Sequence, residues 1–224
     1  RMDDGSRSTE ESLQMLTALA AQGVTDVAAT PHFYASENGP DRFLARRARS
    51  WQQLRPHLTA SLPRVHLGAE VLFFEGIAAF DGLPRLCLSG TDVLLLEMPF
   101  RPWNRRMLDE LLELAGRPDV TVLLAHMERY LPYVAEPDWR RMARSGLYIQ
   151  SNADFFCGFS TRRKALRLLS EGRIHVLGTD CHNMERRGPR MDKAGRVIAR
   201  ALGDDTVRRL EEQARRLLER GGAA

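Results

Sequence analysis

Six short apolar, β-rich runs, each followed by a helical stretch or a long loop, set the strongest limit on how this chain can fold. They lie at 24–30, 65–71, 92–98, 120–125, 147–150 and 174–178. Amphipathic spacing predicts helices at 9–22, 41–54 and 104–115, a short one after Pro137, then 161–171, 193–201 and 206–220. Strands alternating with helices give an α/β fold with a parallel sheet or barrel, because each crossover returns the chain to the same end of the sheet. Ser8 and Glu11 form an S-x-x-E capping box for the first helix, and Gly23 ends it. Ser160 is expected to cap the helix at 161–171. Six strands suit a closed βα barrel poorly, and the room for a missing first strand lies before Arg1. No linker or repeat interrupts the pattern, so residues 1–224 read as one domain.

Composition narrows the function classes. With 43% hydrophobic and 28% charged residues over 224 positions, the chain can bury a sizeable core and is neither disordered, collagen-like nor coiled coil. No apolar run approaches the roughly 18–20 residues of a membrane span, and no signal peptide opens the sequence. Cys87, Cys157 and Cys181 are few, odd in number and widely spaced, which fits a reducing cytoplasm. The net charge is +4, and Lys164 and Lys193 are the only lysines. The arginines sit on helix faces among Asp and Glu, as a solvated surface does. No basic stripe interleaves with aromatics, which argues against a nucleic-acid partner.

The chemistry lies where the apolar runs end. Thr30-Pro31-His32 ends the first, Gly68-Ala69-Glu70 the second, Leu96-Glu97 the third, Ala125-His126 the fourth and Thr179-Asp180-Cys181-His182 the last. In a parallel barrel these ends meet on one face, where active sites form. Charged groups closing apolar strands are expensive to bury without ions or partners. Imidazole and carboxylate together suit Zn, Mn or Fe, and carboxylates can bridge two ions in a hydrolytic cluster. His57, His66 and His175 lie away from that face and read as structural or surface residues. A thiol-based phosphatase is the main chemical rival, since Cys157/Arg163 and Cys181/Arg187 both match C-x5-R. With arginine so common, such matches arise by chance.

Taken in order, these motifs resemble one family. Asp3-Asp4-Gly5-Ser6-Arg7-Ser8, Ala29-Thr30-Pro31-His32, Gly68-Ala69-Glu70, Leu95-Leu96-Glu97, Ala125-His126-Met127-Glu128-Arg129-Tyr130 and Asp180-Cys181-His182-Asn183 look like the CpsB/CapC/YwqE-type bacterial tyrosine-protein phosphatases of the PHP (polymerase and histidinol phosphatase) superfamily. The resemblance spans essentially the whole chain. It implies a distorted (β/α)7 TIM-like barrel of the PHP type, with the first strand missing from this chain. It also implies two or three divalent ions, commonly Mn2+, with Zn, Fe or Mg as alternatives. Asp4, His32 and His182 would gather one ion; Glu70 would bridge to a second held with Glu97 and His126; Asp180 would serve a third. Arg129 and Arg187 would hold the phosphate, and Asp180 or His182 would assist proton transfer. The family's D-x-H-x-H strand is absent here, and Arg187-Gly188-Pro189 replaces its R-P-P turn.

The implied activity is metal-dependent hydrolysis of protein phosphotyrosine, on the tail of a bacterial tyrosine kinase controlling capsule or exopolysaccharide synthesis. Arg101, Arg105 and Arg106 would form a rim for that anionic tail. A homo-oligomer is compatible with the sequence. Two alternatives remain: another PHP phosphoesterase, histidinol phosphatase-like or nuclease, and a non-catalytic regulatory barrel lacking the D-x-H-x-H strand.

Overall fold

The computed structural model describes residues 2–221. Its elements run α1 (Thr9–Ala21), β1 (Asp26–Ala29), β2 (His32–Phe33), α2 (Pro40–Leu54), β3 (Arg64–Leu67), β4 (Glu70–Leu72), β5 (Val93–Glu97) and α3 (Arg105–Ala115). They continue with β6 (Thr121–Leu124), α4 (Glu136–Met142), β7 (Tyr148–Asn152), α5 (Ala153–Cys157), α6 (Arg162–Ser170), β8 (Val176–Gly178), α7 (Met191–Leu202) and α8 (Asp204–Leu218).

Every strand pairing is parallel. β2, β4, β5, β6, β7 and β8 form one sheet in that order, and β1 pairs with β3. Among the described residues no ladder joins β8 to β1 or β2.

The run expected as a single strand at 65–71 is broken into β3 and β4, and the strand expected at 24–30 ends at Ala29 and is followed by β2 beyond Pro31. Pro31 has no N–H to donate, so the ladder stops beside it. Opposite Thr30, Gly68 allows a close approach: a Cβ there would lie 2.5 Å from Leu88 Cδ2 and 3.2 Å from Thr30 Cγ2. Two hydrogen bonds carry the pairing across the break, from Gly68 N to Ala29 O (2.9 Å) and from Glu70 N to Pro31 O (3.1 Å). The offset is the same on both sides, with Ala29 facing Leu67 and His32 facing Glu70.

Helix ends follow local chemistry. Glu11 N donates to Ser8 Oγ at 3.1 Å, while Glu11 Oε2 accepts from Arg7 N at 2.6 Å. α3 is capped by Asn104, whose Oδ1 accepts from Met107 N at 2.9 Å, and it buries Met107, Leu108, Leu111 and Leu114 along one stripe. The cap expected at Ser160 is displaced by one residue. Thr161 stands at the N-cap of α6 without a side-chain cap bond, because its hydroxyl donates to Phe155 O at 2.7 Å.

The run Val93–Leu96 is apolar throughout because β5 is covered on both sides. Leu94 and Leu96 join the large core with Val122, Leu124, Ile149 and the buried face of α3. Val93, Leu95, Leu123, Tyr148 and Val176 form a smaller cluster closed by Leu217 of α8. Side chains alternate along a strand. The second face therefore runs from apolar to polar toward the strand C-termini, as Val93, Leu95, Glu97 on β5 and as Tyr148, Gln150, Asn152 on β7.

Candidate metal centre

That polar end is where the histidines and carboxylates meet. His32 and Glu70 face each other as register partners in the β2–β4 ladder, and Glu97 ends β5. His126 follows β6 in a left-handed conformation (φ 29°) and aims its ring at the two glutamates. Its Nε2–H donates to Glu70 Oε1 at 2.8 Å and lies 3.3 Å from Glu97 Oε1. All three side chains are buried. Burial alone would pull the His126 pKa down, but hydrogen bonds to Glu70 and Glu97 outweigh it and raise it to about 9.

Asp3 joins the N-terminal segment to β2. Its Oδ2 accepts from His32 N and from His32 Nδ1, both at 2.9 Å. That hydrogen bond is the main reason His32 rises to about 9, with Glu70 and Glu97 adding to it against burial. Burial would raise Asp3, yet the bonds from His32 hold it down at about 2. Asp4 lies on the other side, largely exposed, 3.6 Å from His32 Nδ1 and 3.5 Å from His182 Nε2. His182 Nδ1 donates to Asp180 O at 2.9 Å, which leaves Nε2 with its lone pair toward Asp4.

Two groups of donors are therefore close enough to hold an ion, Asp4–His32–His182 and His32–Glu70–Glu97, with the atoms of each within 4.8 Å of one another. His32 belongs to both. The set fits divalent cations: two buried carboxylates face each other with only imidazole between them, and His126 Nδ1 is buried without a hydrogen-bond partner. Neither His126 nor Asp180 belongs to either group. Asp180 also has positive φ (50°), and its Oδ2 accepts from Arg129 Nη2, Arg187 Nη2 and Asn152 Nδ2. Two non-glycine residues in left-handed backbone, each two residues beyond a strand end of this site, mark strain held by the surrounding structure.

Each residue of the short turn after β6 has a separate partner. Glu128 is half-buried; desolvation raises its pKa, and its carboxylate accepts from Ser151 Oγ (3.0 Å) and Asn152 N (3.2 Å). Arg129 reaches Asp180, and its guanidinium lies 5.4 Å over the Phe100 ring. Tyr130 is fully buried, with its hydroxyl accepting from Met98 N at 2.9 Å. Gln150 Oε1 accepts from His126 N, and Gln150 Nε2 donates to Asn152 Oδ1 at 2.8 Å.

Asp3, Gln150, Asn152 and Glu128 are thus in contact with the site, although sequence reasoning gave them no role. The signal for the β7 pair was present: Gln-Ser-Asn is a polar run closing an apolar strand. The reading ended that strand at 150, whereas it runs to Asn152. Of the other histidines, His66 Nε2 contacts Asp26 Oδ1 at 2.8 Å and His175 Nδ1 accepts from Ile149 N at 2.9 Å; His57 is exposed in a short turn. Arg105 and Arg106 are exposed and pair with Asp109 and Glu75.

The family model for capsular polysaccharide synthesis, CpsB/CapC, matches residues 1–219. The chain belongs to the CpsB/CapC family. Tyrosine-protein phosphatase YwqE of Bacillus subtilis (strain 168) is 27% identical to it over 237 residues, covering 97% of this chain and 87% of YwqE. Tyrosine-protein phosphatase CpsB of Streptococcus pneumoniae is 25% identical over 228 residues, covering 93% and 90%. The fold agrees with the solved YwqE and CpsB structures, described as unique metal-dependent tyrosine phosphatases, at a TM-score of 0.78 and 22% identity over 98% of this chain and 91% of the other.

The thiol alternative finds no support in this CpsB/CapC chain. A nucleophilic cysteine needs a lowered pKa. Burial raises Cys157, and it pushes Cys181 up to about 11. No helix among the described residues is long and apolar enough to cross a membrane.

Proposed function

We infer that this chain is a metal-dependent phosphomonoester hydrolase acting on protein phosphotyrosine. The observation that carries the reading is the convergence of His32, Glu70, Glu97 and His126 beside a guanidinium, that of Arg129, at the C-terminal ends of parallel strands. The YwqE and CpsB names supply the substrate class. The proposed unit is the whole chain, 1–224, as one PHP-type (β/α)7 domain. Its setting is the cytoplasm, and its partner the tyrosine-containing tail of a capsule-linked kinase, received at Arg101, Arg105 and Arg106.

Asp4, His32 and His182 would hold one divalent ion, manganese in the first instance, and Glu70, Glu97 and His126 a second. Such ions neutralise phosphoryl oxygens and lower the pKa of a bound water. The rest falls to the protein. Arg129 and Arg187 form a fork of donors whose geometry matches phosphate, and both now engage one carboxylate oxygen of Asp180. An arriving phosphoryl group would take these donors and free Asp180 for a third ion. Asp3 and the Asp180 carbonyl fix the ring orientations of His32 and His182. With Nδ1 on the Asp180 carbonyl and Nε2 on the ion, His182 would have no free ring nitrogen, so proton transfer to the leaving oxygen would fall to Asp180 when it holds no third ion.

The test is hydrolysis of p-nitrophenyl phosphate and of matched phosphotyrosine and phosphoserine peptides by chelator-treated protein titrated with manganese. Manganese-restored turnover that favours phosphotyrosine is expected. Turnover that survives chelation, or none at any manganese level, would overturn the reading.

A further inference from the structure

Phe100 is the one large aromatic ring that stays substantially exposed beside the metal-ligand cluster. Among the described residues the large hydrophobics left in solvent are Phe100, Phe159 and Met184. Phe100 is 46% exposed, in the loop between β5 and α3, three residues beyond Glu97. Its ring centroid is 5.7 Å from that of His126 and 5.8 Å from that of Tyr130, nearly parallel to the latter at 20°. The Arg129 guanidinium stands 5.4 Å from the same centroid. One side chain thus borders both the histidine of the carboxylate cluster and the arginine assigned to phosphate. Aromatic surface left in water is unfavourable in proportion to its area, and a ligand that covers it recovers that cost.

We propose that Phe100 is a specificity-determining residue that packs against the aryl ring of the substrate and selects aryl over alkyl phosphomonoesters. The inference deepens, and rests on, the phosphatase reading above. In an aryl ester the ring is joined to the phosphoryl group through a single oxygen, so a phosphate on Arg129 brings its ring beside Phe100. Tyr130 stacked nearly parallel to the ring and Arg129 over it hold Phe100 in place, and its exposed rim offers edge-to-face contact. A serine or threonine phosphate brings only a short alkyl stem to the same place and leaves the ring uncovered. The aryl group need not enter the carboxylate cluster, so the metal ligands do no work in this choice.

Binding and turnover test it separately. Phenylphosphonate and methylphosphonate, which are not hydrolysed, are titrated calorimetrically into manganese-loaded protein. Wild type should bind the phenyl compound more tightly. In Phe100→Leu, which keeps apolar bulk without a ring, and in Phe100→Ala, that preference should fall about two- to ten-fold, the worth of one aromatic pair. Phe100→Trp should retain it. The ratio of kcat/KM for matched phosphotyrosine and phosphoserine peptides should fall in parallel. An unchanged preference overturns the proposal. So does an equal loss for both phosphonates, which would mean that Phe100 acts only by holding Arg129. Wild type that binds phenylphosphonate preferentially yet never turns over a phosphomonoester would sink the phosphatase reading and leave the aryl contact standing.

Discussion

At the N-terminal end of the strands, Asp92 takes Arg220 from beyond α8 and the Thr121 hydroxyl, Asp26 takes Arg64 and His66, and Arg117 donates to Asp119 and to the carbonyls of Ala78 and Phe80. Each acid there has its base. At the C-terminal end, Asp3, Asp4, Glu70, Glu97 and Asp180 crowd around three histidines. The histidines show the difference most clearly. Burial lowers His175, at the start of β8, whereas carboxylates raise His32 and His126 to about 9 against the same penalty. One end of the sheet is arranged for stability. The other gathers carboxylates and imidazoles at the strand ends, the donor chemistry of a cation site.

The strongest way to break this contrast is Glu70→Gln. Loss of one carboxylate between His32 and His126 should cut manganese-dependent turnover by more than the roughly ten- to hundred-fold of an outer-shell change. It should also abolish the rise in Tm that manganese gives wild type, read by calorimetry. Equal turnover in the variant would remove Glu70 from the site. Next comes Arg129→Lys. A point charge replaces a planar fork, and kcat/KM should fall about ten- to hundred-fold in steady-state assays, with Tm close to wild type. At the opposite end, Arg117→Met should do the reverse. Urea unfolding should show a loss of about 1–3 kcal/mol, since two carbonyls and Asp119 lose their donor, while turnover per folded molecule stays put. The smallest effect concerns pH. His175 must be neutral to accept the Ile149 N–H, and its folded pKa lies below the unfolded one. Its contribution is present above about pH 6.5 and is lost as pH falls through the lowered folded value. His175→Gln should therefore flatten part of the acid-side decline of Tm, and an identical decline in both proteins would show that this histidine is not its source.

Much of this division is visible in the sequence, because strand ends advertise themselves. His32, Glu70, Glu97 and His126 each close an apolar run, and polar residues at those positions are hard to explain otherwise. Asp4 is assigned through the family resemblance, whereas the bond from His32 to Asp3 is not legible, since which neighbour points at His32 depends on the turn at Gly5, whose N–H donates to Asp3 Oδ1. Gln150 and Asn152 carry no charge, so their one signal is positional, a polar run closing an apolar strand. The broken strands had signals in Pro31 and Gly68, but a periodic pattern does not reveal whether such residues end a strand or only bend it. Phe100 belongs to no repeat, and its place beside Arg129 follows from where the loop after β5 happens to turn.

The matched interruptions at Pro31 and Gly68 carry one more consequence. His32 and Glu70 remain opposite each other across a main-chain ladder, so the gap between these two donors is set by strand spacing, about 4.8 Å, and not by side-chain packing. A ruler built from peptide bonds is indifferent to what surrounds it. Neighbouring side chains can drift over time without detuning the pair, yet one residue inserted at 68–69 would turn Glu70 to the opposite face and dismantle it at a stroke.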